Sequence, residues 1–108
     1  MAEPSIACTL SPDELRATAD SLLPGLIRNA RRLTTLRDGL RLELDATSET
    51  LRDIVDVIDR ERRCCAFLRF ELDVPPNAGA VFLTATGPEG SAPLFADLVA
   101  VGHSIAAH

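Results

Sequence analysis

Two adjacent cysteines, Cys64 and Cys65, are the residues of this sequence best suited to chemistry. The Cα atoms of neighbouring residues are about 3.8 Å apart, which is shorter than a disulfide normally spans. A bond between the two sulfurs would therefore be strained and easily reduced. The chain also has an odd number of cysteines, so a disulfide framework explains them poorly. We expect free thiols at both positions.

The charge around these thiols decides what they can do, because the thiolate is both the nucleophile and the metal ligand. The end of a helix disfavours a thiolate. Nearby arginines favour it, and the segment contains Arg60, Arg62, Arg63 and Arg69. If two of these guanidinium groups point at the sulfurs, the thiolate form predominates over the thiol. Thiolates select soft ions such as copper(I), zinc and comparable thiophilic metals, so we expect a soft metal or metalloid partner.

Other residues are candidates for supporting roles at such a site. Cys8 would supply a third sulfur if the N-terminal segment folds over the helix that carries the pair. Glu61 would position one of the thiols, and Phe67 and Phe70 would form the walls of the site. Helical projection also places Glu61 and Arg62 near the core-facing side, so this last turn either rises out of the core or lines a polar pocket beside the thiols.

Several other interpretations of the cysteines stay open. Buried cysteine often packs as a small hydrophobe, which would leave a non-catalytic interaction module that forms a homodimer through its sheet or last helix. In a thiol enzyme or redox sensor, Cys64 would be oxidised or attack an electrophile, and Cys65 or Cys8 would resolve it. A structural zinc site is disfavoured, because it needs four ligands at spacings that are not visible. His103 and His108 are expected to be surface residues near the C-terminus.

The elements that position these residues follow the order α-β-β-α-β-β-α. Ser11-Pro12-Asp13-Glu14 has the pattern of a helix start, and the apolar stripe behind it runs to about Arg31. Pro24 predicts a kink or break near residues 20–23. Thr47 or Ser48 caps a second helix that reaches about Arg63, and Ser91 caps a last helix with Pro93 in its first turn.

Period-2 alternation of apolar residues predicts two hairpins between these helices. The first joins residues 33–36 to 40–44, and we expect a three-residue loop with a left-handed Gly39 that places Leu36 opposite Leu40. The second joins Phe70, Leu72 and Val74 to residues 81–86. The sequence therefore predicts an α+β fold: a four-stranded antiparallel sheet with helices packed on one face.

Composition bounds the remaining function classes. The chain has 108 residues, of which 46% are hydrophobic and 25% charged, and this fits a single globular domain over residues 1–108. Its net charge of −5 argues against nucleic acid as a partner. No apolar run approaches the roughly 18 residues needed to cross a membrane. The N-terminus lacks the pattern of a secretory signal, so we expect a cytoplasmic protein.

The stretch Glu61–Leu72, with Cys8–Pro12 before it and Leu83–Gly90 after it, resembles a group of small, uncharacterised bacterial proteins. Their shared motif reads approximately E-R-x-C-C-P-F-x-x-F-x-L, and Ala66 stands here where that motif has proline. Such proteins are found beside mercury-type metal-responsive regulators or fused to them. The resemblance therefore implies a link to stress from thiophilic metals, so we expect mercury(II) or arsenic(III) as the ion bound by Cys64 and Cys65 with help from Cys8. It implies no catalytic residue.

Overall fold

The computed structural model describes residues 23–64 and 66–106, which form three helices and four strands in a single α+β arrangement. The order is α1 (Leu23–Asn29), β1 (Arg32–Leu36), β2 (Gly39–Asp45), α2 (Ser48–Cys64), β3 (Arg69–Asp73), β4 (Ala80–Thr86) and α3 (Ala92–Ala106). The helix predicted from Ser11 to about Arg31 is described only in part, because residues up to 22 lie outside the described residues. Its C-terminal part is observed as α1, which has Pro24 in the first turn, where proline is tolerated.

The four strands form one antiparallel sheet in the order β1-β2-β4-β3. Strands β2 and β3 are parallel to each other, joined by α2 and separated by β4, so the chain forms a split β-α-β unit. The edge strands are β1 and β3. The predicted four-stranded antiparallel sheet and the order of its elements are therefore confirmed.

The two faces of the sheet differ sharply in character. One face carries the buried side chains of β2 and β4, which form a single apolar cluster with residues of all three helices. The fully buried strand residues of this cluster are Leu40, Leu42, Leu44, Val81, Leu83 and Ala85. The opposite face is polar, with Arg41 stacked over the ring of Phe82 at 4.5 Å from its centroid. The helices cover the apolar face because burial of these side chains is the main source of stability.

The first hairpin differs from the sequence prediction. Leu36 pairs with Gly39 and Thr35 pairs with Leu40, so the connection is a two-residue turn, and the predicted three-residue loop is wrong. Gly39 does not adopt a left-handed backbone. Glycine is required at position 39 for a different reason, because a Cβ there would lie 2.2 Å from the carbonyl oxygen of Ala85 on β4. Close approach of two backbones, and not turn geometry, selects the glycine.

The helix starts use both local and distant caps. Thr47 accepts a hydrogen bond from the backbone N–H of Thr50 at 3.0 Å and is the cap of α2. Ser91 lies directly before α3, but its hydroxyl donates to the carbonyl of Pro88 at 2.7 Å. The N-terminus of α3 is capped instead by Asp38, from the turn between β1 and β2, which accepts from the N–H of Ala92 at 3.2 Å. None of the helices within the described ranges is long and apolar enough to span a membrane.

Candidate functional site

Helix α2 carries the candidate site at its C-terminal end. Its core-facing side is formed by Ile54 and Val57, and the last inward-facing side chain that the structure describes is Glu61. The helix ends at Cys64, which gives the backbone position of the first cysteine of the pair. Cys65 and Cys8 lie outside the described residues. The structure therefore brings Glu61 and Cys64 into the same final turn, three residues apart.

Glu61 is a charged residue on the face of α2 that is otherwise apolar and faces the core. Its side chain is only 4% exposed. Burial raises the pKa of the Glu61 carboxyl, and the positive charge of Arg60 partly opposes this rise. The expectation that Glu61 faces inward is thus confirmed, and the same expectation for Arg62 is wrong, because Arg62 is 64% exposed.

Asp59 explains the outward position of Arg62 and also binds Arg63. Arg62 donates to one carboxylate oxygen of Asp59 at 2.9 Å, and Arg63 donates to the other. The Nε of Arg63 also donates to the backbone carbonyl of Asp59 at 3.2 Å. Hydrogen bonds from Arg63 and Arg62 lower the pKa of Asp59. Two guanidinium groups that precede the cysteines are therefore directed toward the previous turn of the helix.

The other two arginines of the segment have different surroundings. Arg69, at the start of β3, lies 3.3 Å from the carboxylate of Glu71. Arg60 is exposed and makes no ion pair with a described residue, although its charge acts on the carboxyl of Glu61. Asp59 offsets one of the two charges of Arg62 and Arg63, which leaves the last two turns of α2 with a surplus of positive charge.

The aromatic residues after the cysteines pack into the protein. Phe67 and Phe70 are half-buried against the apolar cluster, and Leu68 between them is buried. Phe70 belongs to β3 and pairs with Ala85 on the core-facing side of the sheet. These contacts fix the turn that links α2 to β3. Ala66 at the start of this turn is exposed, as is Arg63 before the cysteines.

Metal-binding groups are scarce in the described part of the chain. Among residues 23–64 and 66–106, no group of three or more His, Cys, Asp or Glu side chains could hold a metal ion. His103 is exposed on α3, and His108 lies outside the described residues. A site that uses Cys8, Cys64 and Cys65 therefore depends on residues beyond the described ranges.

Sequence reasoning missed the role of Asp38. Its carboxylate accepts from Gly90 at 3.3 Å as well as from Ala92, and its carbonyl accepts from Gly87 at 2.9 Å. An aspartate in a turn is a common signal for a local hydrogen bond, but nothing in the sequence indicates a partner more than 50 residues away. This contact joins the first hairpin to the start of α3, at the end of the sheet where β3 begins.

Comparison of this chain with protein-family models, with curated proteins and with solved structures finds no match. The resemblance to small bacterial proteins found beside metal-responsive regulators therefore remains a prediction from the motif around Cys64 and Cys65.

Proposed function

We propose that this chain binds a soft metal or metalloid ion of the mercury(II) or arsenic(III) class through Cys64 and Cys65, with Cys8 as a third sulfur ligand. One observation supports this proposal above the others. Cys64 is the last residue of α2, and the described residues on either side of the pair, Arg63 and Ala66, are exposed. Exposed neighbours on both sides favour access of a small ion from solvent, which the middle of a core-facing helix would not.

The charges of the junction also favour ligation by sulfur. Arg60, Arg62 and Arg63 lie within four residues of Cys64 along α2, which is about one helical turn. Positive charge at this distance favours the thiolate, which is the form that binds a soft cation. Once two thiolates are neutralised by a bound ion, the junction carries a net positive charge that an ionised Glu61 would offset.

Glu61 acts in this proposal as a positioning group. Its buried carboxyl lies one turn before the cysteines, where a protonated form donates a hydrogen bond and an ionised form accepts one. Either form restricts the orientation of a neighbouring thiol. Phe67 and Phe70, packed against the core, hold the turn that follows the pair.

A thiol-competitive titration with mercury(II) and arsenite tests this function. The parent protein should bind one ion per chain, and Cys64→Ala/Cys65→Ala should lose that binding while keeping the circular dichroism spectrum of the parent. Cys8→Ala should weaken arsenite, which takes three sulfurs, more than mercury(II), which is satisfied by two. Equal affinity of the double variant and the parent would refute the proposal.

A thiol enzyme or redox sensor makes a different prediction for the same protein. Its cysteines should react rapidly with an alkylating reagent in the absence of metal, and mild peroxide should form a disulfide that includes Cys64. Rapid oxidation to a disulfide together with no affinity for either ion would favour this second function over metal binding.

A further inference from the structure

The edge strand β1 borders an apolar groove that the proposed metal site does not use. The groove has a volume of about 210 Å³ and lies between the first hairpin and α3. Thr35 and Leu40 line it on the sheet side, and Phe95, Ala96 and Val99 line it on the helix side. It lies at the opposite edge of the sheet from β3, which follows the cysteines.

Among the residues that the structure describes, no strand pairs with the outer side of β1, whose backbone borders this groove. Leu36 and Gly39 flank a two-residue turn, so they exchange both backbone hydrogen bonds. Because hydrogen-bonded pairs alternate along an antiparallel ladder, Thr34 also bonds to β2. The N–H and C=O groups of Leu33 and Thr35 therefore point away from β2, toward the open edge. Thr35 also lines the groove, so the outward backbone groups and the apolar lining belong to one surface.

The two edges of the sheet are protected to different degrees. On β3, the exposed charges Arg69, Glu71 and Asp73 occupy every second position, a pattern that discourages another strand from pairing. On β1, the run from Leu33 to Leu36 contains no charge and no proline. The edge of β1 is thus suited to accept a further strand.

Charge at the two ends of β1 indicates the chemistry of that strand. Arg37 at one end is exposed and makes no ion pair with any residue in the described ranges. Arg32 at the other end is 77% exposed, and its Nε makes only a long ion pair, at 3.8 Å, with a carboxylate oxygen of Glu43. A strand that carries acidic residues at its ends would meet a guanidinium group at each.

We propose that an extended peptide, apolar at alternate positions and acidic at its ends, binds as a fifth strand antiparallel to β1 and inserts its apolar side chains into the groove beside α3. Main-chain hydrogen bonds from Leu33 and Thr35 would supply affinity, and the groove would supply specificity. The interface is small, so a six-residue peptide should bind with a Kd on the order of 0.1–1 mM.

NMR titration of the full ¹⁵N-labelled chain with the capped peptide ELTLTE tests this proposal. The amide signals of Leu33 and Thr35 should shift and gain protection from hydrogen exchange, whereas that of Thr34 should change little. The same peptide N-methylated at both leucines keeps its side chains but loses the donors that would face β1, and it should not bind. A peptide with glutamine at both ends should bind about twofold to fivefold more weakly, the size of one or two exposed ion pairs.

Two helix variants provide a matched pair for the groove. Ala96→Arg places a long side chain in the groove and should weaken the peptide about fivefold or more, as expected for loss of a central contact. Ala100→Arg, one turn further along α3 at another exposed alanine, should leave the affinity unchanged.

Three results would overturn the proposal. The first is the absence of shifts at β1 at peptide concentrations well above the expected Kd. The second is a parent protein that light scattering shows to be a dimer and whose Leu33 and Thr35 amides are protected from exchange without peptide, since a second copy would then hold the edge. The third is a monomeric parent protein whose Leu33 and Thr35 amides are protected from exchange without peptide, since another part of the chain would then hold the edge. None of these outcomes depends on the cysteines, so the proposed metal binding is tested separately.

Discussion

The guanidinium group of Arg63 donates to two groups of Asp59, one helical turn earlier in α2. One is the Asp59 carboxylate, and the other is the Asp59 backbone carbonyl, at 3.2 Å. Arg62 binds the same carboxylate at 2.9 Å. Two cations that precede Cys64 in the sequence are thus directed along the helix toward its N-terminus. Asp59 therefore limits how strongly the arginines can act on the thiols that follow.

Asp59→Asn should make the thiols more reactive. The substitution removes the negative charge that offsets Arg62 and Arg63, so the positive field at the end of α2 increases. Alkylation of the native protein at pH 7 should be about twofold to fivefold faster, as expected for exposed charges in water. Asp56→Asn, at an exposed acid on the same helix, controls for net charge. Equal rates for the two variants would show that Asp59 has no specific effect.

Glu61→Gln should change how stability depends on pH. Burial raises the pKa of Glu61 above its ordinary value. The contribution of this group to stability is therefore complete below the ordinary pKa and is lost as the pH rises through the raised pKa. Glutamine cannot ionise, so the variant should gain in free energy of unfolding relative to the parent as the pH rises from acidic to neutral.

Urea unfolding at a series of pH values measures this difference. Glu49→Gln, at an exposed position in the first turn of the same helix, should show no such trend. A constant difference between Glu61→Gln and the parent across the series would mean that the burial of Glu61 carries no electrostatic cost.

The polar end of α2 shows what the sequence could predict about the site. Helical periodicity placed Glu61 on the inner face because it follows Ile54 and Val57 at intervals of one turn. The same periodicity was wrong for Arg62, because it carries no information about a carboxylate three residues earlier that binds an arginine side chain. Periodicity predicts the face from which a side chain starts, but a long side chain ends where its charge finds a partner.

Asp38→Ala should destabilise the protein without touching the core. The variant loses the oxygen that accepts from Gly90 and from Ala92 at the start of α3. Removal of a helix cap typically costs about 1 kcal/mol of the free energy of unfolding. Glu89→Ala, at an exposed acid in the loop that contains Gly90, should cost far less. Similar urea midpoints for the two variants would argue against a capping role for Asp38.

Gly39→Ala should be more damaging than substitution of a glycine in open surroundings. The added Cβ would lie 2.2 Å from the backbone oxygen of Ala85, which can move only if β2 and β4 separate. We expect a loss of about 1–3 kcal/mol, typical of an overpacked interior. At Gly25 a Cβ meets nothing within 4 Å, so Gly25→Ala in α1 should instead gain about 0.5–1 kcal/mol. Thermal unfolding of both variants measures the contrast, and equal melting temperatures would contradict it.

The first hairpin illustrates why the fold was predictable and its register was not. Alternating leucines in β2 identified the strand and its buried face, because a half-buried strand requires that pattern. The pairing of β1 was predicted on the assumption that Leu36 lies opposite Leu40, on the buried face. In the observed pairing Leu36 lies opposite Gly39, and Gly39 lies against the backbone of Ala85 on a strand 46 residues later, a contact that short-range patterns cannot reveal.

The most direct test of the proposed function measures whether one trivalent arsenical protects two thiols of the native protein. Intact mass after alkylation should show cysteines that react in the parent, and pretreatment with phenylarsine oxide should protect two of them within the peptide that contains Cys64 and Cys65. Reversal by excess dithiol should restore the reaction. The account is contradicted if these two cysteines react only after denaturation, or if they react with equal speed whether or not the arsenical is present.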